Sequence, residues 1–397
     1  MGSGITRLFS SRGAFSSRNT APKKICGESK MNVNYNTAMP AKGGRNYGID
    51  ALRMLAMLLV VIAHILGPGG ILETVEFMSP QYKAAWLLEI VGYCSVNCYA
   101  LISGYVGIHS KYRYHNIILL WLRVIFYTAG ITLIFAVFVP GSVTLRDWVR
   151  AFLPTLSGYY WYFTAYFALF MFLPLLNSAI NKLSQKQLGA VVISLFVTFT
   201  VLQTLPGKDV FGVSSNAWWL MILYIIGGYI GKYGLFKASG LAKLFLGYSV
   251  MILIMWLSRL AAETGFVPVL SAFGGNYLIY HTSPFMLAAG IFLLLLFERL
   301  RTPQSVNKII RLFAPAAFSV YIIHGQPQIW NYLLEQSFSH YASFPVPLET
   351  ALIVLTAAAI YIVCSLIDLL RENIFKVLKV KQRLAGIEDK YLGNLWD

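Results

Sequence analysis

Ten apolar stretches follow one another along this chain, each close to the ~20 residues that a helix needs to cross a bilayer. They fall at about residues 51–68, 84–107, 117–139, 159–177, 187–205, 217–235, 241–261, 281–299, 313–334 and 347–370. The pattern predicts an all-α polytopic membrane protein of about ten transmembrane helices. One polar interval, 140–158, is longer than most. There Leu145, Trp148, Phe152 and Leu156 recur at helical spacing, so the stretch reads either as an interfacial amphipathic helix or as a loop with some helix. Gly227 and Gly231 form a GxxxG pair, which permits close helix packing. The ends differ from the middle. Residues 1–48 carry eight basic residues against the single acid Glu28, and predict a disordered basic leader. Its Arg- and Ser-rich start is like an organellar transit peptide, MGSGIT loosely fits a myristoylation pattern, and Met31 is an alternative first residue. Residues 49–370 then form the membrane domain, and 371–397 a basic cytoplasmic tail.

Composition sharpens this picture. Charged residues make up 12% of the chain and hydrophobic ones 57%. A soluble domain carries about 25% charged residues, so lipid is the solvent for most of this protein. The formal net charge of +16 raises a nucleic-acid reading, but that needs a basic patch on a water-exposed face. With the N-terminus inside, the inner loops and helix edges collect eleven basic residues and the outer ones five, with six more in the tail. Both termini are then cytoplasmic, the lysines and arginines meet anionic headgroups, and no nucleic-acid partner is expected. Of the four cysteines, Cys94 and Cys98 share a helical face but lack further ligands at metal spacing, so they read as packing residues.

Ionisable groups at membrane depth cost about 2.5–3.5 kcal/mol each on insertion scales, which makes them candidates for function. Arg53, His64, Glu89 and His324 stand out. Arg53 and His64 are eleven residues apart, three helical turns, and so share a face about 16.5 Å apart. This predicts Arg53 at the inner headgroups, with Asp50 placed to pair with it, and His64 close to mid-bilayer. A snorkelling anchor and a helix–helix hydrogen bond are the structural alternatives for the two. His324 is followed by Gly325 and Pro327, a place for a kink, and by Gln326 and Gln328, which suggest a cavity. Neutral histidines suit general-base work on a hydroxyl. Glu89 is placed to pair with a buried Arg or His. Trp161 and Tyr162, within an aromatic belt, suit sugar stacking. His281 opens the eighth helix and could line an outer vestibule, and Arg259 reads as a snorkelling residue.

In IDALRMLAMLLVVIAH the chain resembles the first-helix signature of the acyltransferase 3 family of bacterial membrane proteins: an arginine, ten residues, a histidine. ISGYVG, YYWYFTAYFALFMFLPLLN and FSVYIIH follow in the family's order, so the resemblance spans roughly residues 45–370. It implies a multi-pass O-acyltransferase of the bacterial cytoplasmic membrane. Such proteins take an acyl group, most often acetyl, from cytoplasmic acyl-CoA to a hydroxyl of a surface glycan or its lipid-linked precursor. Arg53 and His64 match the motif pair. Arg53 would hold the CoA end, and His64 would be general base or transient acyl carrier, with His324 sharing acid–base duty. The family's arginine cluster near the third helix has only Lys111, Arg113 and Arg123 as counterparts here, without an Arg-x-x-Arg. Those three are the remaining acyl-CoA contacts expected, with Glu89, Trp161 and Tyr162 on the acceptor and no metal. No soluble esterase-like domain is expected after the tenth helix. The competing reading is a transporter of a glycan or small metabolite, without chemistry.

Overall fold

The structure, a computed structural model, describes residues 45–393 apart from 109, 206–208 and 214. The predicted leader, with Cys26 and Met31, lies outside these residues except for its last four positions. Every described element is helical, and no strand occurs among the described residues.

The chain enters at Asn46, whose side chain accepts hydrogen bonds from the Gly48 and Ile49 amides at 2.9 and 3.3 Å. This cap starts α1 at Tyr47, and Gly67–Pro68 ends it at Leu66. The principal helices that follow are α2 (Pro80–Gly107), α3 (Tyr114–Phe138), α4 (Leu145–Phe152) and α5 (Trp161–Lys182). Next come α6 (Gln185–Thr204, with a π turn at Val197–Val201), α7 (Ala217–Tyr233), α8 (Leu241–Glu263) and α9 (Pro284–Arg299). The last are α10 (Gln304–Phe313), α11 (Ala317–His324), α12 (Val346–Val377) and α13 (Val380–Tyr391). All ten apolar stretches are therefore largely helical. Among the described residues eight spans are long and apolar enough to cross a membrane, the pair α10–α11 counting as one. The stretches that became α7 and α9 are helices of 17 and 16 residues.

Three boundaries differ from the sequence pattern. The first helix begins four residues earlier than its apolar run, because the Asn46 cap and not hydrophobicity sets its start. The eighth stretch forms α9, which begins at Pro284, capped by Ser283, so His281 lies in the preceding turn and does not open a helix. The tenth stretch forms α12, which runs on to Val377, and the predicted tail carries a further helix, α13, which packs on α3. The interval at 140–158 contains the short α4, closed by a Thr144–Asp147 capping box.

α2 is the central post. One side packs with α7, α8 and α9 into one apolar core; the other faces α1, and α1 joins α3, α11 and α12 in a second. Small residues permit both approaches. A Cβ on Gly227 would sit 2.2 Å from the Leu101 carbonyl oxygen, so the GxxxG pair does seat α7 backbone-to-backbone on α2. A Cβ on Gly92 would lie 3.2 Å from that of Ala63, so α2 and α1 nearly touch one turn below the end of α1. Cys94 and Cys98 are fully buried packing residues.

Candidate active site

His64 is the eighteenth residue of the twenty in α1, near the end of the helix rather than its middle. His324 is the last residue of α11. There the helix breaks, as Gly325 and Pro327 predict, and Gln326 caps the short turn that follows by accepting from the Gln328 and Ile329 amides. This break and the end of α1 bring the two imidazoles together. Nδ1 of His64 lies 2.9 Å from Nε2 of His324, although the residues are 260 positions apart.

The hydrogen-bond chain fixes which nitrogen holds which proton. Nδ1 of His324 lies 2.5 Å from the Val320 carbonyl oxygen, which can only accept. Nδ1 of neutral His324 therefore carries the proton, and its Nε2 accepts. Neutral His64 then donates from Nδ1, which leaves a lone pair on its Nε2. Trp330 stands edge-on to the His64 ring at 5.0 Å and restrains its plane. His324 is buried behind His64, whereas His64 lines a cavity of about 500 Å³, within the size range of small-ligand pockets. The other walls are Ser142 and Asp147 from the α3–α4 turn and α4, Tyr159, Tyr160 and Trp161 at the start of α5, and Tyr321, Gln328, Asn331 and Tyr332 around the α11 break. Burial pushes the Asp147 carboxyl up, but hydrogen bonds from Thr144 and the Arg150 and Arg146 charges outweigh it and hold it below the ordinary range. The cavity thus has an anion at its rim and a basic nitrogen in its wall.

Arg53 lies at the other end of α1, half-exposed, 2.6 Å from Asp50, which also takes a 2.5 Å contact from Arg45. Arg53 and His64 share a helix face but do not meet. A file of tyrosines lies between them. The Tyr99 hydroxyl donates to the Arg53 carbonyl at 2.6 Å, Tyr99 meets Tyr162 at 6.2 Å between ring centroids, and Tyr321 lies 6.5 Å from His324. The Tyr162 hydroxyl is buried without a hydrogen-bond partner.

The remaining candidates scatter. Lys111 and Arg113 sit in the turn before α3, and Arg113 pairs with Asp389 of α13 at 2.7 Å. Arg123 is nine residues further along α3 from Tyr114, its Nε unpartnered, facing the charges of Arg371 and Asp368 on α12. Trp161 lines the cavity. Glu89 is buried on α2 and faces Arg259. Arg259 does not snorkel: it is buried 3.1 Å over the Trp86 ring and bonds Glu263 and Asn276, both at 2.5 Å.

Three features escaped the sequence reading. Asp368 and Arg371 form a buried pair at 2.7 Å, for which the i,i+3 spacing inside an apolar helix was the available signal. Tyr321 and Trp330 line the cavity, and neither was singled out in the sequence. Glu388 of α13 binds the start of α3, accepting from the Tyr114 and His115 amides at 2.9 and 3.0 Å and facing the His115 ring at 2.6 Å.

A family model described as an acyltransferase domain, that of the acyltransferase 3 family, matches residues 46–367. The chain belongs to the acyltransferase 3 family. The match starts at the residue that caps α1 and ends within α12, so it encloses both histidines and every wall of the cavity. The protein is accordingly a membrane acyltransferase. Neither the curated proteins nor the solved structures contain a match to it.

Proposed function

We propose that this acyltransferase moves an acyl group, acetyl in the simplest case, from acyl-CoA to a hydroxyl of a surface glycan or its lipid-linked precursor. The observation that carries this reading is the chain Val320 C=O, His324, His64, which aims a basic nitrogen at a ligand-sized cavity. In the transfer, Nε2 of His64 takes the proton from the acceptor hydroxyl. The oxygen attacks the thioester carbonyl, the carbon–sulfur bond breaks, and the leaving CoA thiolate takes the proton back from the imidazolium. His324 holds the tautomer that keeps Nε2 of His64 unprotonated; it is a positioning residue, fixed in turn by Val320.

Acyl-CoA is expected from the Arg53 side, the inner side in the orientation that the loop charges favour. The rise of about 16.5 Å from Arg53 to His64 is a span for the extended pantetheine arm, and the tyrosine file gives it polar company. Arg53, and Arg123 with its unpartnered Nε, are the phosphate contacts this reading favours. In this reading the membrane is a bacterial cytoplasmic membrane, and acyl-CoA, the glycan and the bilayer are the partners.

The test uses purified protein in lipid nanodiscs, with free thiol release from acetyl-CoA and O-acetyl transfer to glycan both measured. His64→Gln should stop both while the protein still inserts and melts cooperatively. Transfer at the wild-type rate in that variant would sink the mechanism.

A further inference from the structure

The helix break that brings the two histidines together also sets the orientation of one side-chain amide. Past His324 the chain bends at Gly325, and a short turn runs from Pro327 to Ile329. Gln326 caps that turn. Its side-chain oxygen accepts from the Gln328 and Ile329 backbone amides at 2.8 and 3.1 Å, and a backbone N–H can only donate. The other end of the Gln326 amide is therefore its NH2 group, which donates to the Gln328 side chain. The Gln328 atom that receives this bond must be Oε1, so Nε2 is the end left over. Among the described residues neither N–H of that Nε2 has a hydrogen-bond partner. Gln328 is only 6% exposed, yet it forms part of the wall of the cavity that His64 lines. Other donors in this wall are spent or loose. The Ser142 and Tyr160 hydroxyls donate to the Phe135 and Ile322 carbonyls at 3.2 and 2.9 Å, and Asn331 is exposed. What singles out Gln328 is that other hydrogen bonds hold its donor in place.

Acyl transfer needs such a donor. When the acceptor oxygen attacks the thioester carbonyl, the carbonyl π pair moves onto the carbonyl oxygen. The tetrahedral intermediate then carries a negative charge there. Donors that are aimed before the attack stabilise this charge most, because they need no reorganisation as it develops. His64 is engaged with the acceptor proton, and Asp147, the charged group of the cavity wall, has the wrong sign. We propose that Gln328 is a catalytic residue of the transfer: its Nε2 donates to the carbonyl oxygen of the thioester as that oxygen becomes an oxyanion. Gln326 is then a positioning residue, which keeps the Gln328 amide turned with its nitrogen outward. The proposal rests on the acyl-transfer reading above and adds to it the group that answers the developing charge. When the carbon–sulfur bond breaks, the pair returns from the oxygen to the carbonyl bond and the thiolate takes its proton from His64. Gln328 donates hydrogen bonds throughout and gives up no proton.

The experiment is the nanodisc assay of thiol release and acyl transfer, with acetyl-CoA varied at a fixed glycan concentration. Gln328→Met keeps the length of the side chain and removes the donor. It should lower kcat about 10²-fold, the effect of one lost oxyanion donor, while the half-saturating acetyl-CoA concentration and the melting temperature stay put. Gln328→Glu, assayed at about pH 8, well above the ordinary glutamate value, keeps the oxygen that Gln326 binds and loses only the N–H groups. It should fall at least as far, which separates a missing donor from a broken turn. Gln326→Met frees the Gln328 amide to turn over and should lower kcat about tenfold, the equivalent of one hydrogen bond, again with half-saturation unchanged. Wild-type kcat in either Gln328 variant overturns the assignment. So does a loss that appears as a higher half-saturating acetyl-CoA concentration at unchanged kcat, which would make Gln328 a ground-state contact. Wild-type kcat in Gln326→Met removes the positioning role. A wild-type protein that releases no thiol and transfers no acyl group to glycan would instead sink the acyl-transfer reading itself.

Discussion

Two polar clusters are buried among these apolar helices, and they differ in what each leaves over. Around Asp368 one carboxylate oxygen gathers the donors, accepting from Tyr127 at 2.5 Å, Ser319 at 2.6 Å and Arg371 at 2.7 Å, and what is left over is the Nε of Arg123, away from the His64 cavity. At the end of α1 the bonding stops one step short. Val320 satisfies His324, His324 satisfies His64, and His64 turns its last nitrogen to a cavity. The first cluster ties α3, α11 and α12 together around one carboxylate. The second stands beside a cavity, which is what a reaction needs. Both are buried among apolar helices, so burial alone does not mark the active site. The open space beside His64 does.

Exchanging these properties is the way to break the comparison. The largest effect is expected at His64, where glutamine should lower the transfer rate about 10³-fold, roughly 4 kcal/mol, with the melting temperature nearly unchanged. Asp368→Ala should do the reverse. It removes the buried carboxylate from Arg371, leaving only the half-exposed Glu372 at 2.8 Å, and should cost about 3 kcal/mol of stability, read as a lower melting temperature in detergent, with acyl-CoA use per folded molecule retained. If Asp368→Ala melts normally but cannot use acyl-CoA, this cluster is not merely structural. His324→Asn should fall between, slowing transfer about 10²-fold through misplacement of His64. Full activity there would remove His324 from the mechanism.

The smallest effect concerns α13. Burial raises the Glu388 carboxyl, but hydrogen bonds from the His115 amide and ring and the Tyr114 amide outweigh it and hold it below the ordinary glutamate range. A carboxyl depressed by folding contributes stability above its unfolded value and loses it as pH falls through its folded value. The contact of α13 with α3 should therefore hold at neutral pH and release only well into acid, below the usual glutamate value of about 4.3. Glu388→Gln should weaken it at neutral pH by about 1 kcal/mol, the scale of a lost helix cap. Spin-label distances between the two helices check both statements. The exposed Arg113–Asp389 pair beside it should add little.

The fold was legible because a bilayer writes its thickness into the sequence as runs of apolar residues. Boundaries were not, because single caps set them: Asn46 starts α1 early, and Ser283 leaves His281 outside α9. The histidines could be picked out one by one, since each is an ionisable group in a greasy helix. Their 2.9 Å meeting could not, because it depends on where α11 breaks relative to the end of α1. The tail looked like a solvated charge run by composition. Glu388 docks it through two backbone amides, and backbone amides have no signature in a residue string.

Gly92 has no side chain to hold a substrate or make a bond, yet it sets the clearance between α1 and α2 beside Ala63, the neighbour of the base. A methyl group there would meet the Leu59 carbonyl oxygen at 3.1 Å and act as a shim, lifting the end of α1, with His64, away from α2. The distance from the reacting nitrogen to whatever fills the cavity is therefore gauged by a missing side chain. Tolerance at that one position is a measure of how finely the two halves of the reaction must be aligned.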